Sequence, residues 1–207
     1  MKSKYCLLRL AVLAVVGILF TGCLLKPATV STRHFVLSPI STNEPALGPM
    51  SHLSVGIGFV KMPSYLLRNS MAIRNGANEI QYLEDARWAE RLDQCFQRAL
   101  AANLSRLLPS DNIYLSDWGR DQVKVRVSIN VQQFDVDTRG NGTLIAEWRI
   151  NAPDSGTSFK SGQAKLTRTG ASPRGNPEAI ATTLGELTAE FSRELAQSIR
   201  ESAKSGS

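Results

Sequence analysis

Apolar and polar residues change period several times along the chain, and each change marks an element. At 52–60, Leu53, Val55, Ile57 and Phe59 alternate with small or polar residues, which predicts a strand with Gly56 and Gly58 on its other face. Shorter strands are predicted at 33–37 and 112–115. The runs 71–74 and 79–83 flank Asn75-Gly76-Ala77-Asn78, a hairpin signal, since Asn-Gly supplies the positive backbone angles of a tight turn. Trp88, Leu92, Cys95, Phe96, Ala99, Leu100, Leu104 and Leu107 recur at helical spacing, so a helix is predicted over 86–108, ended by Pro109, with Asn103 at the edge of its stripe. Odd positions from Val123 to Val131 are apolar, and then Phe134 and Val136 take the even phase. One extra residue near Gln132-Gln133 repairs that slip, which predicts a β-bulge in a strand over 122–137. Asn141-Gly142 predicts a second hairpin into 143–151, and 159–169 forms a strand mostly polar on both faces, which suggests a sheet edge or an interface. Asn176-Pro177-Glu178 opens a last helix striped by Ile180, Leu184, Leu187, Phe191, Leu195 and Ile199, with fraying expected from Ser202.

The first residues follow another pattern. Lys2, Lys4 and Arg9 precede an uncharged run over 10–20, and Thr21-Gly22-Cys23 follow. A basic start, a short apolar core and small residues describe a secretory signal, and the core is shorter than the roughly 20 residues that span a bilayer. With Cys23 directly after Gly22, the segment resembles a bacterial lipoprotein signal, with Phe20 where Leu is usual. The resemblance implies cleavage before Cys23 and acylation of that residue, palmitate included. Each buried methylene contributes about 0.8 kcal/mol, and two or more chains hold stably. Leu24 is not the Asp that retains such proteins at the inner membrane, which favours the outer membrane, facing the periplasm. Residues 23–32 form a tether reaching at most about 35 Å, so the folded body stays near its membrane.

Composition then narrows the chemistry. Of 207 residues, 24 are basic and 18 acidic, and three of the basic ones leave with residues 1–22, so the mature charge is near +3 and gives poor support for nucleic-acid binding. Cys6 leaves too and Cys23 is acylated. Cys95 is therefore left without a disulfide partner and is expected as a buried thiol. Two histidines, His34 and His52, do not make a triad or a metal cluster. Asp135 and Asp137 share a strand face and could offer oxygens to calcium, although solvated carboxylates near a hairpin end are the plainer reading. The sequence presents no phosphate-binding loop, paired-cysteine motif or nucleophile elbow. It predicts no catalytic residues, no metal and no cofactor beyond acyl chains on Cys23.

One tract is distinctive: Pro63-Ser64-Tyr65-Leu66-Leu67-Arg68, then Ala72-Ile73-Arg74, Asn78-Glu79-Ile80 and Arg87-Trp88-Ala89-Glu90-Arg91-Leu92. It resembles the ABC-type transport auxiliary lipoprotein family, of the PqiC/YmbA type found in paraquat-inducible intermembrane transport. Phe35-Val36-Leu37 matches the family's early strand, with Phe where Tyr is more usual. The resemblance implies an α/β fold, a mixed, largely antiparallel sheet packed with two long amphipathic helices. This would be a single domain over 33–202, after a signal peptide (1–22) and an acylated tether (23–32) and before a flexible tail (203–207). It also implies a non-catalytic subunit of an MCE-type intermembrane lipid transport system. That subunit would be a homo-oligomeric ring or docking port for a periplasm-spanning MCE-domain partner and its inner-membrane transporter component. Tyr65, Leu67, Arg68, Arg74, Arg87 and Trp88 are the candidate subunit or partner contacts. Each has a plainer role: loop packing for Tyr65 and Leu67, a clamp on the hairpin from a helix start for Arg87 and Trp88, solvated charge for Arg68 and Arg74. The alternative is a stand-alone periplasmic lipid- or envelope-binding lipoprotein with a cavity between sheet and helices.

Overall fold

A computed structural model describes residues 31–41, 45–48, 53–108, 112–115, 118–119, 122–152 and 158–205. The signal segment, Cys23, His52 and most of the tether lie outside these residues. The folded unit is Thr32–Ser207. Its elements are β1 (Arg33–Phe35), β2 (Val55–Lys61), a 3-10 turn (Ser64–Leu66), β3 (Ser70–Asn75), β4 (Glu79–Trp88), α1 (Leu92–Leu107), β5 (Ile113–Leu115), β6 (Val125–Asp137), β7 (Asn141–Asn151), β8 (Ser158–Thr169) and α2 (Glu178–Ser205).

The eight strands form one mixed sheet in which the long ladders, β3/β4, β6/β7 and β7/β8, are antiparallel. The shorter pairings β1/β4, β2/β5, β2/β6 and β3/β6 are parallel. β6 is the spine. One side pairs along its length with β7, while the other is shared end to end by β2, which reaches Asn130, and β3, which begins pairing at Val136. The bulge predicted in β6 is present, with the register shifting between Val131 and Gln133. Among the described residues β8 pairs only with β7 and is a sheet edge, one of the two settings its polar faces suggest.

The helices cover one face. α1 packs on β2 and β5, α2 packs on β6, β7 and β8, and the two touch each other. Where they meet, Phe96 of α1 stands edge-on to Phe134 of β6 at 5.2 Å and lies 5.9 Å from Phe191 of α2. All three rings are fully buried, each contributing about 1.5–3 kcal/mol of apolar burial. Asp93 in the first turn of α1 and Arg106 in its last complement the helix dipole, and Glu178 does the same at the start of α2. The predicted stripe of α2, from Ile180 to Ile199, is buried throughout.

Five expectations are corrected. Trp88 is the last residue of β4, not part of a helix. Its spacing to Leu92 and Cys95 imitates a helix, but Ala86 and Trp88 are buried while Arg87 is exposed, the period of a strand. Phe59 points to solvent, because the register shifts between Ile57 and Val60 and Val60 turns inward instead. The second hairpin turns at 138–140, with Gly140 at φ +98°, and Asn141-Gly142 already belongs to β7. Asn103 is wholly buried rather than at a stripe edge. Its Oδ1 accepts from the Ile40 amide at 2.8 Å, and its Nδ2 donates to Ser192 Oγ at 2.9 Å. α2 continues through Ser205, and buried Ser202 donates to the Ser198 carbonyl at 2.9 Å.

Candidate functional site

Residues 62–69 link β2 to β3 and carry most of the distinctive tract. Pro63 cannot continue the β2 ladder, so the chain leaves the sheet and makes one tight turn. There the Leu66 amide donates to the Pro63 carbonyl at 3.0 Å and the Leu67 amide to that of Ser64 at 3.1 Å. Leu66 is driven into the core, while Tyr65 and Leu67 remain half-buried. The turn sits where β6 has no strand partner on that side, between Asn130 and Val136.

Side chains fill that gap. Asp135 of β6 points away from the helices yet is only 2% exposed. The Tyr65 hydroxyl donates to Oδ2 at 2.8 Å. Arg74 of β3 donates through Nε to Oδ1 at 3.0 Å and through Nη2 to Oδ2 at 2.6 Å. Gln133, at the bulge, donates to Oδ1 at 2.9 Å. Arg74 also donates to the Tyr65 hydroxyl at 3.2 Å and to the Ala77 carbonyl at 3.3 Å, tying the β3/β4 turn to the same point. From β4, the Tyr82 hydroxyl donates to the Tyr65 carbonyl at 3.0 Å, and the Arg68 guanidinium lies 4.8 Å from the Tyr82 ring centre.

The electrostatics follow from this geometry. Burial, then the hydrogen bond to Asp135, pushes the Tyr65 hydroxyl far above its ordinary range. The hydrogen bond to Asp135 raises Arg74 further still, against the opposing effect of burial. Tyr65 is thus a fixed proton donor and Arg74 a fixed cation. A carboxylate offers about four acceptor positions, and four donors occupy those of Asp135. Each oxygen of Asp135 thus accepts two hydrogen bonds. Asp137, two residues on, is equally committed. Burial pushes its carboxyl up, but bonds from the Asn141 side chain and amide and from Arg139 outweigh this and hold it below the usual range. Asp135 lacks the solvated character expected for the pair, whereas Asp137 stays partly exposed at the hairpin end, and among the described residues no cluster of His, Cys, Asp or Glu is placed to hold a metal ion. The arrangement is a lock that fixes a turn onto a sheet.

The structure brings three of the six candidate contact residues together: Tyr65 and Arg74 directly, and Arg68 through Tyr82. Arg87 and Trp88 stand at the loop's exit. There the Trp88 amide donates to the Asn69 carbonyl at 2.7 Å, Arg87 pairs with Ser70, and both residues pair with β1. Trp88 is core, Arg87 and Arg68 are exposed, and Leu67 lies half-buried on the turn. Sequence reasoning missed Asp135, Gln133 and Tyr82 as members of the lock. The available signal was the bulge, which re-aims the residues that follow it, beside an unexplained Tyr and Arg in the preceding tract.

The family model for the ABC-type transport auxiliary lipoprotein component matches residues 35–196. Among curated proteins no sequence matches. Two crystal structures share the fold. One, of an uncharacterized protein, is 22% identical with a TM-score of 0.65, covering 82% of this chain and 99% of its own. The other, from Xanthomonas campestris and assigned to the DUF330 family, is 13% identical with a TM-score of 0.70, covering 84% and 98%. The family match takes in β2 through β8, the 3-10 turn, both carboxylates of the β6 end and most of α2, and the chain belongs to the ABC-type transport auxiliary lipoprotein component family.

Proposed function

We propose that this protein is a non-catalytic outer-membrane lipoprotein of an MCE-type intermembrane lipid transport system, serving as a ring subunit or docking port for a periplasm-spanning partner. The observation that carries this reading is the lock at Asp135. The tract spends Tyr65 and Arg74 on holding a turn rigid against Asp135, and the turn leaves Leu67 half-buried and Arg68 exposed. Rigid, pre-organised presentation of a few exposed groups suits docking, because little freedom is lost on binding. The open β8 edge offers unpaired main-chain groups beside a neighbouring subunit. Acyl chains on Cys23 would hold the domain at the membrane. Among the described residues no helix is long and apolar enough to cross one. The space between sheet and helices is occupied by Phe96, Phe134 and Phe191, which weighs against the alternative of a lone carrier holding lipid there.

The test is affinity purification of the full-length, acylated protein from its native envelope, followed by native mass spectrometry. The expected result is a homo-oligomer that brings down an MCE-domain protein, together with loss of outer-membrane fractionation in Cys23→Ser. A monomer that captures no such partner overturns the reading.

A further inference from the structure

The face of the sheet opposite the helices carries a second feature, separate from the lock. Where β2 bulges, Phe59 projects with 79% of its surface exposed. It stands over a shallow groove of about 490 Å³ that also takes in Lys61, Arg126, Arg149 and Glu147. Among the described residues none of the three cations meets a carboxylate. Glu147, the one acid present, instead accepts from Gln132 at 2.8 Å. Trp118 lies on the same face, packed so closely over Gly56 that a Cβ there would come within 2.6 Å of its ring. Gly56 pairs with Arg126 across the ladder, so the aromatic and cationic groups form one patch.

We propose that this patch is a contact for an anionic phospholipid surface, with Phe59 entering the headgroup layer and Lys61, Arg126 and Arg149 reaching lipid phosphates. The proposal rests on the reading of the chain as a membrane-anchored lipoprotein. A protein-binding site accommodates aromatic residues and Arg, but it gathers several apolar residues at its centre and is depleted in Lys and Glu, both of which line this groove. Here one exposed ring, Phe59, with Trp118 packed flat over Gly56 beside it, stands among cations that meet no carboxylate of the described residues. This is the composition of interfacial membrane contacts, in which apolar groups sink to the acyl boundary and basic side chains extend their heads to the phosphates. The tether of 23–32 would keep such a surface within reach of a bilayer. A second, weak attachment would then set the orientation of a domain that the acyl chains only localise.

The test uses the folded unit from Thr32 onward, which lacks the anchor, in flotation with vesicles of phosphatidylethanolamine and phosphatidylglycerol or of phosphatidylcholine alone. Binding is expected on the anionic vesicles only and should weaken with salt. Arg126→Gln and Arg149→Gln should each weaken it about fivefold, and Phe59→Ser about tenfold. All three positions are exposed, and thermal unfolding of each variant should match the parent. Equal binding to neutral vesicles, binding indifferent to the three substitutions, or no binding at all overturns the proposal. So does a photo-crosslinker at position 59 in full-length protein in cells that joins a protein and no lipid. None of these results bears on co-purification with an MCE partner, so the two readings fail separately.

Discussion

Arg74 and Asp135 form a two-pronged ion pair that is open to water at one end only. The guanidinium side chain is 25% exposed, the carboxylate side chain 2%. The two partners are therefore not equivalent. A freed Arg74 can turn to solvent, whereas a freed Asp135 stays buried beside Tyr65 and Gln133. Arg74→Met should cost about 3–5 kcal/mol, the range for an uncompensated buried charge. Asp135→Asn should cost about 2 kcal/mol. Urea denaturation midpoints check the order, and the double variant should lose less than the sum of the two. Equal losses would show that the carboxylate finds water in the native state.

The helix pair depends on one amide. Asn103 satisfies the Ile40 amide and Ser192 Oγ from a wholly buried position, while Ser192 also donates to the Thr188 carbonyl at 2.6 Å. Asn103→Ala strands the buried Ile40 amide, removes a donor from Ser192 Oγ and opens a small void, so it should cost about 2–3 kcal/mol. Ser192→Ala should cost about 1 kcal/mol. Calorimetric unfolding of the two variants gives the comparison, and an equal loss would contradict it.

Two turn glycines with positive φ should differ in their tolerance of a side chain. A Cβ on Gly140, at φ +98°, would lie 2.4 Å from the Ala171 carbonyl oxygen. Gly140→Ala should cost about 2–3 kcal/mol and lower Tm by about 5–10 °C. Gly76, at φ +73°, has nothing within 4 Å of the same position, and Asn tolerates that backbone region. Gly76→Asn should leave Tm within about 2 °C.

Cys95 should be inert until the protein opens. Burial, then the nearby Glu90, pushes its thiol from 9.0 up to about 11. The native state therefore holds its proton over a window in which the unfolded chain gives it up. Stability from this group is intact below about pH 9 and declines as pH rises from there toward about 11. The difference in unfolding free energy between the parent and Cys95→Ala, followed across that window, isolates this decline from other titrations. In native protein at pH 8, labelling by a thiol reagent should wait on unfolding.

Much of the fold was legible because its signals were local. Asn75-Gly76 marked the first hairpin, the phase slip at Gln132-Gln133 marked the bulge, and the α2 stripe needed only its 3.6-residue period. The misses share a cause. Trp88 and Leu92 are four apart whether the chain is helix or strand end, and what settles the matter is pairing with β1, over fifty residues earlier in sequence. Phe59 faces outward because of a register shift set by β6. Asp135 looks like any strand acid until Tyr65 and Arg74 arrive from another part of the chain. The distinctive tract identified half of the lock, and its carboxylate lies about sixty residues further on.

The way β2 and β3 share one side of β6 leaves the stretch between Asn130 and Val136 without a strand partner there. The 3-10 turn covers it with side chains and a single loop. This is an interior strand whose cover is held to it by side chains. Displacing Tyr65 would present β6 as a docking edge in the middle of the sheet, with β2 above and β3 below still in place. An extended peptide entering that slot would complete the sheet, exchanging a side-chain seal for a main-chain one.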